Sequence, residues 1–117
     1  MKLLIIFNKD IEISPEKVCI HTGHSSRHIS VKLINNPLNW QFYNLWERND
    51  YKTVVLKEKI TDNLKTKISN FINYEIYDAG LDGVFEKGTV LGYAILVPKD
   101  DETFKRLRTL KFESKLK

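Results

Sequence analysis

Residues Leu3 to Phe7 form an unbroken apolar run, closed at once by Asn8-Lys9-Asp10. A short run without polar alternation reads as a strand covered on both faces, so other layers must lie above and below it. It ends far too early for a signal peptide or a membrane span. With 117 residues, 42% of them hydrophobic, the chain is long enough to close one core around such a strand without a metal or disulfide staple. Cys19 is the single cysteine, which excludes an intramolecular disulfide and a multi-thiolate zinc site and suits a reducing, cytoplasmic setting.

After a loop from Asn8 to Ile13, Ser14-Pro15 supplies a helix start. The serine accepts a backbone N–H, and a proline at the first helical position loses no needed donor. This helix is predicted to run to about Ile34, where Asn35-Asn36-Pro37 breaks it. Leu38 to Asn49 gives a second helical segment whose aromatic face, with Trp40, Phe42, Tyr43 and Trp46, reads as packing rather than base stacking. Thr53 to Leu56 is a β-branched strand. Asp62 to Ile72 is predicted as an amphipathic helix with Leu64, Ile68, Phe71 and Ile72 inward, and Tyr74 to Tyr77 as a strand. Gly80, Gly83 and Gly88 punctuate a loop before the strand Thr89 to Val97, which Pro98 ends. Asp100-Asp101-Glu102 then starts a predicted last helix with Phe104, Leu107 and Leu110 on its apolar side. The order β-α-α-β-α-β-β-α predicts a single α/β domain over 1–117, with helices on both faces of a mostly parallel, partly mixed sheet. Ligands in such sheets gather beyond strand ends, here near Asn8 and Asp78.

His21, His24 and His28 stand four, seven and eleven residues beyond Lys17 on the first helix and each projects within roughly 40° of it. His24 and His28 could share an ion, with His21 as a third ligand. Neither a zincin-like glutamate nor a cysteine cluster accompanies them, so no metal or other cofactor is expected. Asp78-Ala79-Gly80 places a carboxylate just beyond a strand, a position suited to a general base or a water-orienting group and equally to a plain turn.

Together these two features resemble the archaeal and eukaryotic type of peptidyl-tRNA hydrolase. That family has a helix lysine, a glutamine four residues on and a histidine three beyond, where this chain has Lys17, His21 and His24. Its tryptophan before a Lys-x-Val-Val-Leu strand is matched by Trp46 and Lys52-Thr53-Val54-Val55-Leu56. Its Asp-Ala-Gly-Arg-Thr-Gln segment is matched by Asp78-Ala79-Gly80-Leu81-Asp82-Gly83, followed by Gly88-Thr89, a strand and Pro98. The resemblance implies a three-layer α/β/α fold with a small four-stranded mixed sheet, and cleavage of the ester joining a peptide to the terminal ribose of tRNA. Carried over by position, Lys17, Asp78 and Thr89 are the expected catalytic residues.

Three departures alter the site. Leu81 for arginine removes a phosphate-pairing cation, and Asp82 for threonine adds a charge that repels phosphate and could perturb Asp78. His21 for glutamine adds a group able to titrate near neutral pH, and so joins the catalytic candidates. The leading expectation is therefore an esterase in which Asp78 or His21 handles the attacking water and Lys17 stabilises developing negative charge. His24, Asp82, Arg27 and Lys32 are candidate substrate contacts, with Arg106, Arg108 and Lys111 on the closing segment. The net charge of +4 is compatible with tRNA or peptidyl-tRNA as partner, no membrane partner is expected, and the resemblance hints at a homodimer. A non-hydrolysing relative binding tRNA, another RNA or a protein, and a metal-assisted hydrolase, are the competing readings.

Overall fold

The apolar run at the start of the chain becomes β1 (Lys2–Asn8), the central strand of the sheet, with Leu3, Ile5 and Ile6 wholly buried. A computed structural model describes residues 1–81, 83–105 and 107–109. Beside β1 lie β2 (Thr53–Glu58), parallel to it, and β4 (Val90–Val97), antiparallel. β3 (Ile72–Tyr77) pairs antiparallel with β4 at one edge, and a two-residue β5 (Arg108–Thr109) pairs antiparallel with β2 at the other. The order is β3-β4-β1-β2-β5, a mixed sheet of four full strands plus a short fifth rung. Only the β1–β2 pair is parallel, so the expectation of a mostly parallel sheet is corrected. β3 and β4 follow each other through a loop without a crossover helix, and such a connection yields an antiparallel pair.

Alternate residues of β1 feed two cores. Leu3, Ile5 and Phe7 pack with Val18, Ile29 and Leu33 of α1 (Pro15–Ile34) and with Trp46 of α2 (Trp40–Arg48). Leu4 and Ile6 pack on the other face with Leu64 and Ile68 of α3 (Asp62–Ile68) and with Phe104. The result is the three-layer α/β/α arrangement expected.

The helix boundaries follow their caps. Ser14 Oγ accepts the Lys17 N–H at 3.2 Å with Pro15 just inside the helix, and the Asn35 N–H closes the far end on the Val31 carbonyl. Asn36 caps a 3₁₀ turn (Pro37–Asn39) that leads into α2. Trp46 is fully buried, its indole N–H donating to the Lys52 carbonyl, whereas Trp40 and Leu45 remain exposed, so the aromatic segment is only partly core.

Two expectations are corrected. α3 ends at Ile68, capped by Ser69, and Ile72 already belongs to β3, where it pairs with Leu96. Its β-branched side chain joins the ladder rather than the helix, because strand pairing decides where propensity is ambiguous. The predicted last helix is also absent among the described residues. Four-residue turns, closed by the Lys105 N–H on the Glu102 carbonyl and the Leu107 N–H on the Phe104 carbonyl, surround Phe104, and the chain then adds β5 to the free edge of β2. Arg106, Leu110 and Lys111, and the side chain of Arg108, lie outside the described residues. No described helix is long and apolar enough to cross a membrane.

β1 and β3 both run antiparallel to β4, so their carboxyl ends lie at the same end of the sheet. The loop after β1, the first turn of α1 and the loop joining β3 to β4 therefore meet there. Gly92 makes the close strand packing possible: a Cβ at that position would stand 2.0 Å from the Ile6 carbonyl oxygen. A register shift next to it, between Ile76 and Tyr77, breaks the regularity of the β3–β4 ladder just before Asp78.

Candidate active site

Asp78 is the first residue past β3, and backbone bonds hold it. Its N–H donates to the Thr89 carbonyl at 2.9 Å, and its own carbonyl accepts from the Gly88 N–H at 2.8 Å. The carboxylate is 3% exposed. Oδ2 accepts the Gly80 N–H at 2.8 Å, a local turn bond typical of aspartate. Gly80 sits at φ +72°, and a Cβ there would come within 2.8 Å of the Lys87 backbone nitrogen, so glycine at this point is required both by conformation and by space.

Oδ1 accepts from Lys17 Nζ at 2.6 Å. Lys17 stands in the first turn of α1, which the Ser14 cap holds, and its Nζ lies 5.3 Å from the centre of the Phe85 ring. A buried carboxylate held by a lysine and a backbone N–H is a charged group kept from water only because it is paired. One helical turn on, His21 is buried, with Nε2 3.9 Å from the same Oδ1, beyond hydrogen-bond reach. Burial, then His24, pushes the His21 imidazole below its ordinary 6.5; Asp78 opposes this and Lys17 adds to it. The ring is therefore neutral at neutral pH.

Lys17 and His21 share one face of α1 as the helical spacing predicted, and the fold brings Asp78 to them. Thr89 lies beside them through its backbone, while its hydroxyl donates to the Glu86 carbonyl at 2.7 Å. The other histidines diverge: His24 is exposed and meets His21 edge-on at 5.8 Å, and His28 stacks on Tyr74 of β3 at 4.2 Å. Among the described residues no group of three or more His, Cys, Asp or Glu could hold a metal ion. Arg27 and Lys32 are exposed on α1, and Lys32 Nζ donates to the Asn73 carbonyl. Asp82 lies outside the described residues.

An open cleft of about 1000 Å³ lies against Lys17, bounded by residues 10–17, Ile20, Val84 and Phe85. Asp78 and His21 stand behind Lys17 rather than on its wall. Sequence reasoning missed Phe85 and the Gly80 N–H. The Asp-Ala-Gly spacing carries the signal for the second, since an aspartate two residues before a positive-φ glycine commonly folds onto that N–H. No spacing signals the first, because tertiary packing brings Phe85 to α1.

Fold and site together describe an α/β protein with a lysine–carboxylate pair buried beside a histidine at the strand ends, an arrangement suited to hydrolysis. The model of the peptidyl-tRNA hydrolase PTH2 family matches residues 1–110, and the chain belongs to that family. Its activity is the ester hydrolysis of peptidyl-tRNA, and membership implies that activity here. A search of the curated proteins finds no match.

Proposed function

We propose that Lys17, His21 and Asp78, with Thr89 holding Asp78 through its backbone carbonyl, carry out the hydrolysis of peptidyl-tRNA. The observation that carries this reading is the 2.6 Å bond between Lys17 Nζ and a carboxylate that is 3% exposed, with the cleft opening on the lysine side. Both Asp78 oxygens already accept a hydrogen bond, so its role is to anchor Lys17 and to favour positive charge on His21. The neutral imidazole is the base.

In the proposed reaction, water attacks the ester carbonyl carbon while His21 takes its proton. The positive charge of the Lys17 ammonium, at the cleft, stabilises the oxyanion. Collapse breaks the bond between the acyl carbon and the ribose oxygen, and the imidazolium returns the proton to that oxygen. The nearby Asp78 carboxylate stabilises the imidazolium formed in between, consistent with its upward pull on His21.

Arg27 and Lys32 would meet the tRNA backbone, with Arg106, Arg108 and Lys111 of the closing segment, and His24 and Asp82 would flank the ester. Residues 1–117 would act as one cytoplasmic domain that pairs as a homodimer. The test is cleavage of peptidyl-tRNA by the wild type beside Asp78→Ala and His21→Ala. Turnover by the wild type with strong loss in both variants is expected; substrate left intact at high enzyme concentration overturns the reading.

A further inference from the structure

The substrate of this site has two halves of opposite chemistry, a polyanionic tRNA and a peptide. The cleft against Lys17 suits only one of them. Its floor is apolar: Ile11, Ile13 and Phe85 are half-buried against the core, and Ile20 and Val84 are 54% and 65% exposed. Its rim carries Asp10, Glu12 and Glu16, all exposed, and among the described residues none of the three has an ion-pair partner.

Three carboxylates at the mouth repel a phosphate backbone, so the tRNA half is turned away from this side of Lys17. Large exposed aliphatic side chains beside a lysine that faces the ester offer an apolar surface with no solvent role. Leu81, 92% exposed where the family pattern has arginine, adds to the aliphatic character of the same loop as Val84.

Resting on the hydrolase reading above, we propose that the cleft between residues 10–16 and Val84–Phe85 receives the peptide half of the substrate. It favours peptides that carry positive charge close to the ester. The ester carbonyl then lies at Lys17 Nζ, the tRNA leaves in the direction away from the acidic rim, and the peptide side chains lie along Ile20 and Val84. The carboxylates act on the peptide through water at moderate distance, so the preference is graded and falls with added salt.

The test uses two peptidyl-tRNAs identical except at the residue preceding the esterified one, lysine in the first and glutamate in the second. The lysine substrate is expected to have a KM lower by roughly three- to tenfold, the range that one to two exposed charge pairs supply. Asp10→Lys combined with Glu12→Lys should reverse that ratio. The ratio is the readout because the new lysines also attract tRNA. Val84→Ser, at an exposed position, should raise KM for both substrates with kcat kept.

If both substrates are cleaved with equal KM, and the double reversal leaves the ratio at one, the cleft does not read the peptide. If the double reversal instead tightens binding of deacylated tRNA without moving the ratio, the cleft faces RNA and the proposal is overturned. Failure to cleave either substrate would overturn the hydrolase reading itself, so the two failures are distinguishable.

Discussion

α1 carries two cation–histidine pairs of the same spacing on one stripe, Lys17 with His21 at its start and His28 with Lys32 near its end. Both face β3 or its extension, yet they meet different things. Lys32 donates to the Asn73 carbonyl and stays exposed, and His28 lies flat on the Tyr74 ring. Lys17 instead meets a carboxylate that is 3% exposed, and His21 is buried beside it. The far end binds charge to a dipole at little desolvation cost. The near end holds opposite charges out of water, which costs stability unless the pair is well made, and such groups are the ones available for chemistry. The difference comes from the strand side. Identical residue types on a helix become a site only where the sheet supplies a buried acid.

The sharpest way to break this comparison is to remove that acid while keeping its shape. Asp78→Asn should lower kcat by about 10²- to 10⁴-fold, the range of a positioned proton-transfer system. It should also cost roughly 1–3 kcal/mol in urea unfolding, because Lys17 loses its counter-charge in a mostly buried place. Activity within tenfold of wild type would mean that the two ends of the helix differ in packing only.

The lysines give the next contrast. Lys17→Met should reduce kcat by about 10²-fold, the cost of losing one oxyanion donor. Lys32→Met should leave kcat intact, raise KM, and flatten the salt dependence of tRNA binding by close to one phosphate contact. Steady-state kinetics at two salt concentrations separates the cases. Equal effects on kcat from both variants would erase the distinction between the ends.

How far the chain itself announces this contrast depends on the range of the signal. α1 was legible to the residue, since Ser14-Pro15 and Asn35-Asn36-Pro37 are local devices that act wherever they occur. Helical spacing announces Lys17 and His21 on one face of α1, and the resemblance alone joins Asp78 to them. Neither Ile72 nor the pair Arg108 and Thr109 reads as strand from its local pattern, because each is claimed by a neighbouring strand, β4 in the first case and β2 in the second. A ladder partner distant in sequence leaves no mark on the local pattern. Phe85 over Lys17 and the cleft beside it were illegible for the same reason. The stripe of histidines was visible, but its division was not: His28 differs from His21 only in having Tyr74 rather than Asp78 opposite.

That division gives the smallest and most specific prediction. Burial holds His21 below its ordinary 6.5, so between that value and the lower folded one the unfolded chain binds a proton that the folded chain does not. Its contribution to stability is therefore complete above pH 6.5 and lost as pH falls through the folded value. Urea unfolding at pH 7.5 and pH 5 should show a larger acid loss for wild type than for His21→Gln, which restores the residue type expected at this position of the family. If the imidazole is the base, the acid limb of kcat/KM also lies below 6.5 and disappears in the same variant, leaving a lower, flatter rate. His28→Gln should cost only about 0.5–1.5 kcal/mol for the lost stack, with kcat unchanged. An acid limb that survives His21→Gln would transfer the base role to Asp78 and leave His21 as a packing residue, making the near end of α1 chemically distinct through its lysine alone.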